Sequence, residues 1–312
     1  MYNSEVKLHM VDSVAFAGLG AVGAIYAQLA ARCKQVPCFA IVRDRLSYEN
    51  CPVSVNGEEL DIPMVTPSES KTAGLIIVAV KWHTLEDAIG QIAPFVREGT
   101  IILSLLNGIR SEGMIAQRFP NAHVLTALCS GIDSNRQGRA VRMNRRGRIV
   151  FGSPTGEDAV AVREAAAYFD LAGIPYEVPD DVMREMWWKL MVNVGINQVS
   201  AVMGLNYGEF RDNAAAMARM HRAQREVIAV AQAQGIALGQ ADIERWDAQL
   251  AGLSDTGLSS TLQDVRARRK TEVELYGGEI CRQGERLGIP TPENALLIRE
   301  ICELERKYLP AC

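Results

Sequence analysis

From Val14 to about Val178 the chain alternates short apolar runs with helical stretches. "VAFAGLG" leads a strand into a glycine-rich turn, and "CFAIV" (Cys38–Val42) is a second strand. "GLIIVAV" (Gly74–Val80) and "GTIILSLLNG" (Gly99–Gly108) are further strands, followed by "AHVLTALC" and "GRIVFGSP". These runs are continuous rather than alternating, which suits parallel strands covered on both faces. Helical connections between them predict a doubly wound α/β domain. After Pro179-Asp180-Asp181 the strand signals stop. "MREMWWKLMVNVGINQVSAVMG", "NAAAMARMHRAQREVIAVAQAQG" and "TLQDVRARRKTEVELYGGEICRQGERLG" each read as one helix closing at or near glycine. The chain therefore divides near residue 180 into an α/β domain (1–180) and a mostly helical domain (181–312).

The first of those helices has an uneven pattern. In "WWKLMVNVGIN" the polar residues Lys189, Asn193 and Asn197 recur every fourth position among apolar neighbours. Four-residue spacing keeps them on one helical face. Such a stripe is either the wall of a cleft that meets a ligand, or packing. In the second case the asparagines bond neighbouring helix ends and Lys189 extends to solvent.

Composition narrows the classes. The 312 residues are 48% hydrophobic and 22% charged, which is globular, and the net charge of −4 gives no bulk attraction to nucleic acid or anionic membranes. The apolar runs are too short to span a bilayer. The first dozen residues have mixed charge and no apolar core, so they read as a ragged extension without an export signal. Seven cysteines, at 33, 38, 51, 129, 281, 302 and 312, include no CxxC pair, and the four histidines are scattered. That argues against a metal site or a disulfide framework and predicts a reduced, cytoplasmic protein. "RQGRAVRMNRRGR" (Arg136–Arg148) is basic but lacks interleaved aromatics to stack on bases, so it reads as an exposed hairpin, not a nucleic-acid surface.

The candidate chemistry begins at Gly18-Leu19-Gly20-Ala21-Val22-Gly23, a GxGxxG turn with a strand before it and a helix after it. In that context the glycines permit a tight turn, close approach of a pyrophosphate, and helix–strand packing. The second strand ends at Arg43, followed by Asp44 and Arg45. An acidic residue there selects NAD, whereas an arginine forks onto a ribose 2′-phosphate. Arg43 comes first, which favours NADP. Lys81 and Asn107 follow two later strands, at ends where open α/β sheets bind ligands. In the helical half, Ser260 with Gln263 fits a helix-capping box as well as a binding role. Glu272, three turns into the same predicted helix, reads as a solvated charge or a site residue.

Together these segments resemble the ketopantoate reductase (2-dehydropantoate 2-reductase) family. The resemblance runs through "FAGLGAVGA", "VAVKWHTLEDAI", "SLLNGI", "WWKLMVNVGINQVSAV" and "SSTLQDVRARRKTEVELYGGEI", over roughly residues 14 to 290. It implies a Rossmann-type domain followed by a helical substrate domain, and the apolar character of that helical half is compatible with dimerisation into a homodimer. It implies NADP(H) held by Gly18, Leu19, Gly20, Ala21, Val22, Gly23, Arg43, Lys81, Asn107 and Glu272. It implies Lys189 and Glu272 as catalytic residues, with Asn193, Asn197, Ser260 and Asn107 on a small 2-oxo acid. Two positions depart from the family pattern: Leu106 stands where glutamine is common, and Gln198 where proline follows the second asparagine. The implied reaction is NADPH-dependent reduction of 2-dehydropantoate to (R)-pantoate in pantothenate biosynthesis. A related reductase of another 2-oxo or hydroxy acid, and a silent NADP sensor, are the alternatives. A silent relative would be expected to lose the acid.

Overall fold

The computed structural model describes residues 11–69 and 71–309, so the first ten residues of the predicted extension and Cys312 lie outside it. The chain forms two compact units, dividing between Val182 and Met183.

The first unit contains β1 (Val14–Ala17), α1 (Ala21–Arg32), β2 (Cys38–Ile41), α2 (Arg45–Asn50), β3 (Ser54–Val55), β4 (Glu58–Glu59), β5 (Met64–Val65) and β6 (Leu75–Val78). It continues with α3 (Leu85–Ile92), β7 (Ile101–Ser104), α4 (Ser111–Arg118), β8 (His123–Ser130), β9 (Asp133–Gln137), β10 (Ala140–Arg145), β11 (Arg148–Gly152), α5 (Ala159–Ala172) and β12 (Tyr176–Glu177). Eight strands form one sheet in the order β12-β11-β8-β7-β6-β1-β2-β5.

Each central strand feeds two cores. Val14, Phe16, Leu75, Ile77, Ile101 and Leu103 pack with α1 and α5 on one face. Their alternates Ala15, Ala17, Ile76, Val78 and Ile102 pack with Leu85, Ile89 and Ile92 of α3 on the other. Side chains point alternately to opposite faces of a strand, so two buried faces require the unbroken apolar runs of the sequence.

The sheet is not wholly parallel. β11 runs antiparallel to β8, Arg148 opposite Ser130, because the chain returns through a hairpin rather than a helix. That hairpin, β9 with β10, is the basic segment, and it pairs with β3 and β4 in a second four-stranded sheet. The sequence reading missed β3, β4 and β5, which are two residues each and carry too little apolar pattern to register.

The second unit is helical: α6 (Val182–Val192), a π turn (Asn193–Asn197), α7 (Gln198–Met203), α8 (Tyr207–Arg211), α9 (Ala214–Gln232), α10 (Gln240–Ala251), α11 (Ser260–Arg266), α12 (Gly277–Leu287) and α13 (Pro292–Arg306). Two of its features correct the sequence reading. The stripe does not lie on one regular α-helix, because a π turn begins at Asn193. Gln198 explains how that turn is tolerated. Its backbone N–H bonds Gly195 O, while its side-chain amide donates to Val194 O at 2.8 Å and to Asn294 Oδ1 at 3.0 Å. Gln198 is fully buried, and its side chain gives a carbonyl inside the wide turn a hydrogen bond.

The long third helix is also broken. α11 ends at Arg266, Arg268 adopts φ +53°, and Arg269 N–H returns to Asp264 O at 2.8 Å. A left-handed residue at this point closes a helix. A short 3₁₀ turn, Val273–Leu275, precedes α12. Among the described residues no helix is long and apolar enough to cross a membrane, and no cluster of His, Cys, Asp and Glu is suited to a metal ion.

Candidate active site

In the first unit four predicted positions follow four adjacent parallel strands. β2, β1, β6 and β7 lie side by side, with Ile41 beside Ala17, Ala17 beside Val78, and Val78 beside Ser104. Their ends are level, so Arg43, Gly18, Lys81 and Asn107 all emerge at the same carboxyl edge of the sheet. The chain goes from β1 outward to β2, then crosses back to β6 on β1's other side. Such a switch point opens a crevice where α/β proteins bind ligands.

The three glycines of the turn meet different demands. Gly18 has φ +101°, and a methyl group there would lie 2.6 Å from Ala79 O. At Gly23 a methyl would lie 2.0 Å from Gly18 O, so α1 can pack against the turn only without one. At Gly20 the backbone is ordinary, φ −70°, and a methyl would find only Ala79 O within reach, at 3.7 Å. Packing therefore requires Gly18 and Gly23 but leaves Gly20 facing open space that a bound group can use. Leu19 is buried, and Ala21 and Val22 begin α1, whose first turn has no acidic residue and whose end has no side-chain cap. Uncapped N–H groups at a helix start suit a phosphate, so this cradle fits a dinucleotide's pyrophosphate.

Arg43 is exposed and lies 3.7 Å from Asp87 Oδ2. Arg45 is held by Glu69, and Asp44 is exposed at the start of α2. A shallow cavity of about 460 Å³ is lined by Arg43, Pro67, Glu86, Asp87, Gly90 and Gln91. Lys81 is exposed at the head of a 3₁₀ turn, where its carbonyl accepts from Thr84 N–H and Oγ1. Asn107 is half-buried before Gly108, whose φ is +89°. Leu106 is buried in the core cluster that includes Leu85, Ile89 and Ile92 of α3.

In the second unit the stripe passes from the surface inward. Lys189 and Asn193 are half-buried, whereas Asn197 is 5% exposed. Around them Trp187, Leu190, Met191, Val194, Ile196 and Val199 are all buried. Asn197 Nδ2 donates to Ser260 Oγ at 3.3 Å. Ser260 itself is exposed and does not cap α11. That task falls to Ser259, whose Oγ accepts from Leu262 N–H at 3.2 Å and pairs with Ser200 Oγ at 2.6 Å. The tandem serines thus split the work, and Ser260 is left pointing elsewhere.

Glu272 is only 6% exposed and stands between α11 and the 3₁₀ turn, so it is not a solvated helix charge. The residue before it is anchored: Thr271 N–H and Oγ1 both donate to Glu305 Oε1 at 2.7 Å, and Lys270 Nζ reaches Glu305 Oε2 at 2.6 Å. Burial opposes the Glu305 charge, but these hydrogen bonds hold its carboxyl below the usual range. Tyr276, to which the sequence reading gave no role, lies beside Glu272, Asn197 and Ser260. Nothing in the sequence marks it, since an aromatic residue near a helix start usually signals packing. A separate cavity, among Val265, Arg266, Arg268, Leu304, Lys307 and Tyr308, contains none of these residues.

Comparison with known proteins gives a family. The family described as ketopantoate reductase PanE/ApbA matches residues 14–156, and its C-terminal counterpart matches residues 181–305. A 2-dehydropantoate 2-reductase of Vibrio cholerae is 28% identical over 313 residues, covering 94% of this chain and 98% of its own. A crystal structure of a PanE/ApbA family ketopantoate reductase from Ralstonia eutropha JMP134 superposes with a TM-score of 0.81 at 28% identity, covering 95% of this chain and 99% of that one. The ternary structure of D-mandelate dehydrogenase with NADH and anilino(oxo)acetate shares the fold, with a TM-score of 0.85 at 21% identity over 95% of this chain and 99% of that one.

Proposed function

This chain belongs to the ketopantoate reductase family and is an oxidoreductase of the CH–OH class, and we propose that it reduces 2-dehydropantoate to (R)-pantoate with NADPH, in pantothenate biosynthesis. The observation that carries the reading is the polar set in the helical unit: Asn197 bonded to Ser260, with a buried Glu272 nearby and Lys189 on the same run as Asn197. Polar groups gathered on an otherwise apolar run give a polar substrate its hydrogen-bond partners.

Bound at the glycine turn, the reduced nicotinamide dinucleotide supplies the hydride. Gly18, Gly20, Gly23 and the start of α1 would hold its pyrophosphate, Lys81 and Asn107 at the same sheet edge would serve its nicotinamide end, and Glu272 in the second unit would serve the substrate. Lys189 donates a proton to the ketone oxygen as negative charge develops there. Asn193, Asn197 and Ser260 orient the oxo acid's polar groups through neutral hydrogen bonds. In this reading the first unit binds the dinucleotide, and the second binds substrate and forms a homodimer in the cytoplasm.

Arg43 selects NADPH over NADH. Its exposed pairing with Asp87 is worth at most about 1 kcal/mol. A fork onto a 2′-phosphate contributes about 1.5–3 kcal/mol, so the phosphate displaces the carboxylate. Dissociation constants for both cofactors, on the wild type and on Arg43→Ala, check this: the preference is expected to collapse in the mutant. Equal affinities in the wild type would remove the NADP assignment.

Glu272→Gln keeps the shape and removes the charge. If Glu272 contacts substrate or the nicotinamide ribose, kcat/KM falls about 10–150-fold, the kinetic equivalent of one charged hydrogen bond. Unchanged kinetics would take it off the site.

The fold shared with D-mandelate dehydrogenase supports a second reading, a reductase of a different 2-oxo acid. Mixing protein, NADPH and 2-dehydropantoate and following nicotinamide absorbance separates the two. Rapid oxidation supports the lead reading. Activity only with other 2-oxo acids supports the second, and no activity with any of them leaves a binding protein.

A further inference from the structure

Tyr276 is fully buried, and among the described residues its hydroxyl meets no partner at full hydrogen-bond geometry, although Ser260 and Asn197 stand close enough to interact with it. Buried polar groups nearly always have partners, so an orphaned phenol next to the proposed substrate-binding pair calls for an explanation. The contact beside it is also slack, since Asn197 Nδ2 to Ser260 Oγ spans 3.3 Å. Only Ser260 is exposed, so a ligand reaches this set through the serine.

We propose that Tyr276 is a positioning residue acting through Ser260: when the oxo acid's oxygen engages Ser260, the phenol donates to Ser260 Oγ and fixes the serine's proton toward the substrate. This rests on the functional reading above and adds a residue to it. Burial first, and the Glu272 charge second, keep the phenol protonated, so it serves as a donor at every working pH. A bond made only in the liganded state contributes to substrate affinity and not to the stability of the free protein.

Tyr276→Phe removes the hydroxyl and keeps the ring. The expected result is a KM for the oxo acid raised about tenfold, as for one neutral hydrogen bond, with kcat within about twofold. The melting temperature without substrate stays level, because the lost group makes no bond of full hydrogen-bond geometry, while the shift induced by substrate shrinks. NADPH affinity is unchanged. In a Ser260→Ala background the same substitution has no further effect on KM, since its route is gone. Unchanged KM, with or without a lower melting temperature, would show that Tyr276 is packing. A full tenfold effect that persists in Ser260→Ala overturns the route through the serine. A wild type that reduces no 2-oxo acid sinks the functional reading and this proposal together. The first two outcomes leave that reading intact.

Discussion

Lys189→Ala lowers turnover by about 10²–10⁴, the range for loss of a general acid, while the affinity for NADPH stays within about twofold. The two effects separate because the amine lies in the helical unit, whereas the glycine turn and Arg43 belong to the other. Lys189 is half-buried at the last turn of α6, one helical turn before Asn193. Truncation there removes a proton donor without opening a large cavity, so the melting temperature moves little. Steady-state kinetics, a cofactor titration and a thermal melt check all three expectations. If Lys189 is only packing, the mutant melts early yet keeps wild-type turnover per folded molecule, and that result would end its catalytic assignment.

The glycine turn gives a second contrast, between two changes that look alike in sequence. Gly23→Ala puts a methyl 2.0 Å from Gly18 O and 3.1 Å from Ala79 Cβ, so α1 must move off the turn. Overpacking of this kind costs about 1–3 kcal/mol, or roughly 2–12 °C in Tm for a unit of this size. The shifted helix start also weakens dinucleotide binding. Gly20→Ala has no such clash, its nearest protein atom being 3.7 Å away, and its φ of −70° suits alanine. The fold is therefore expected to hold its melting temperature while NADPH affinity falls tenfold or more, about 1.4 kcal/mol. Titration of cofactor fluorescence beside a thermal melt separates the pair. If Gly20→Ala binds NADPH as tightly as wild type, the turn is not the pyrophosphate site.

The charge on Glu272 shows how far pattern reading reaches. In sequence it lies among Lys270, Glu274 and Tyr276, a mixed stretch that fits an exposed helix face. In the structure Arg268 adopts a left-handed conformation and ends α11, so Glu272 turns inward, braced by Thr271 on Glu305. No residue type announces that break, because the arginine that makes it is a good helix former. Ser260 had two readings for a related reason. Two adjacent serines both satisfy a capping rule, and only the backbone position decides which one caps.

What the sequence determined by itself is whatever depends on short-range pattern. Unbroken apolar runs gave the buried parallel strands, GxGxxG gave the strand-to-helix turn, and the end of strand signals after residue 180 gave the helical half. Each follows from how neighbouring side chains meet the backbone they are attached to. Tertiary structure alone decided what depends on contacts distant in the chain. It set β11 antiparallel to β8, opened a π turn at Asn193 with Gln198 bonded to Val194 O inside it, placed Tyr276 beside Asn197, and brought Gly277 N–H to Gln198, 79 residues earlier in the chain. These arrangements exist because buried polar groups must find partners wherever the fold supplies them, and that supply cannot be read from any one segment.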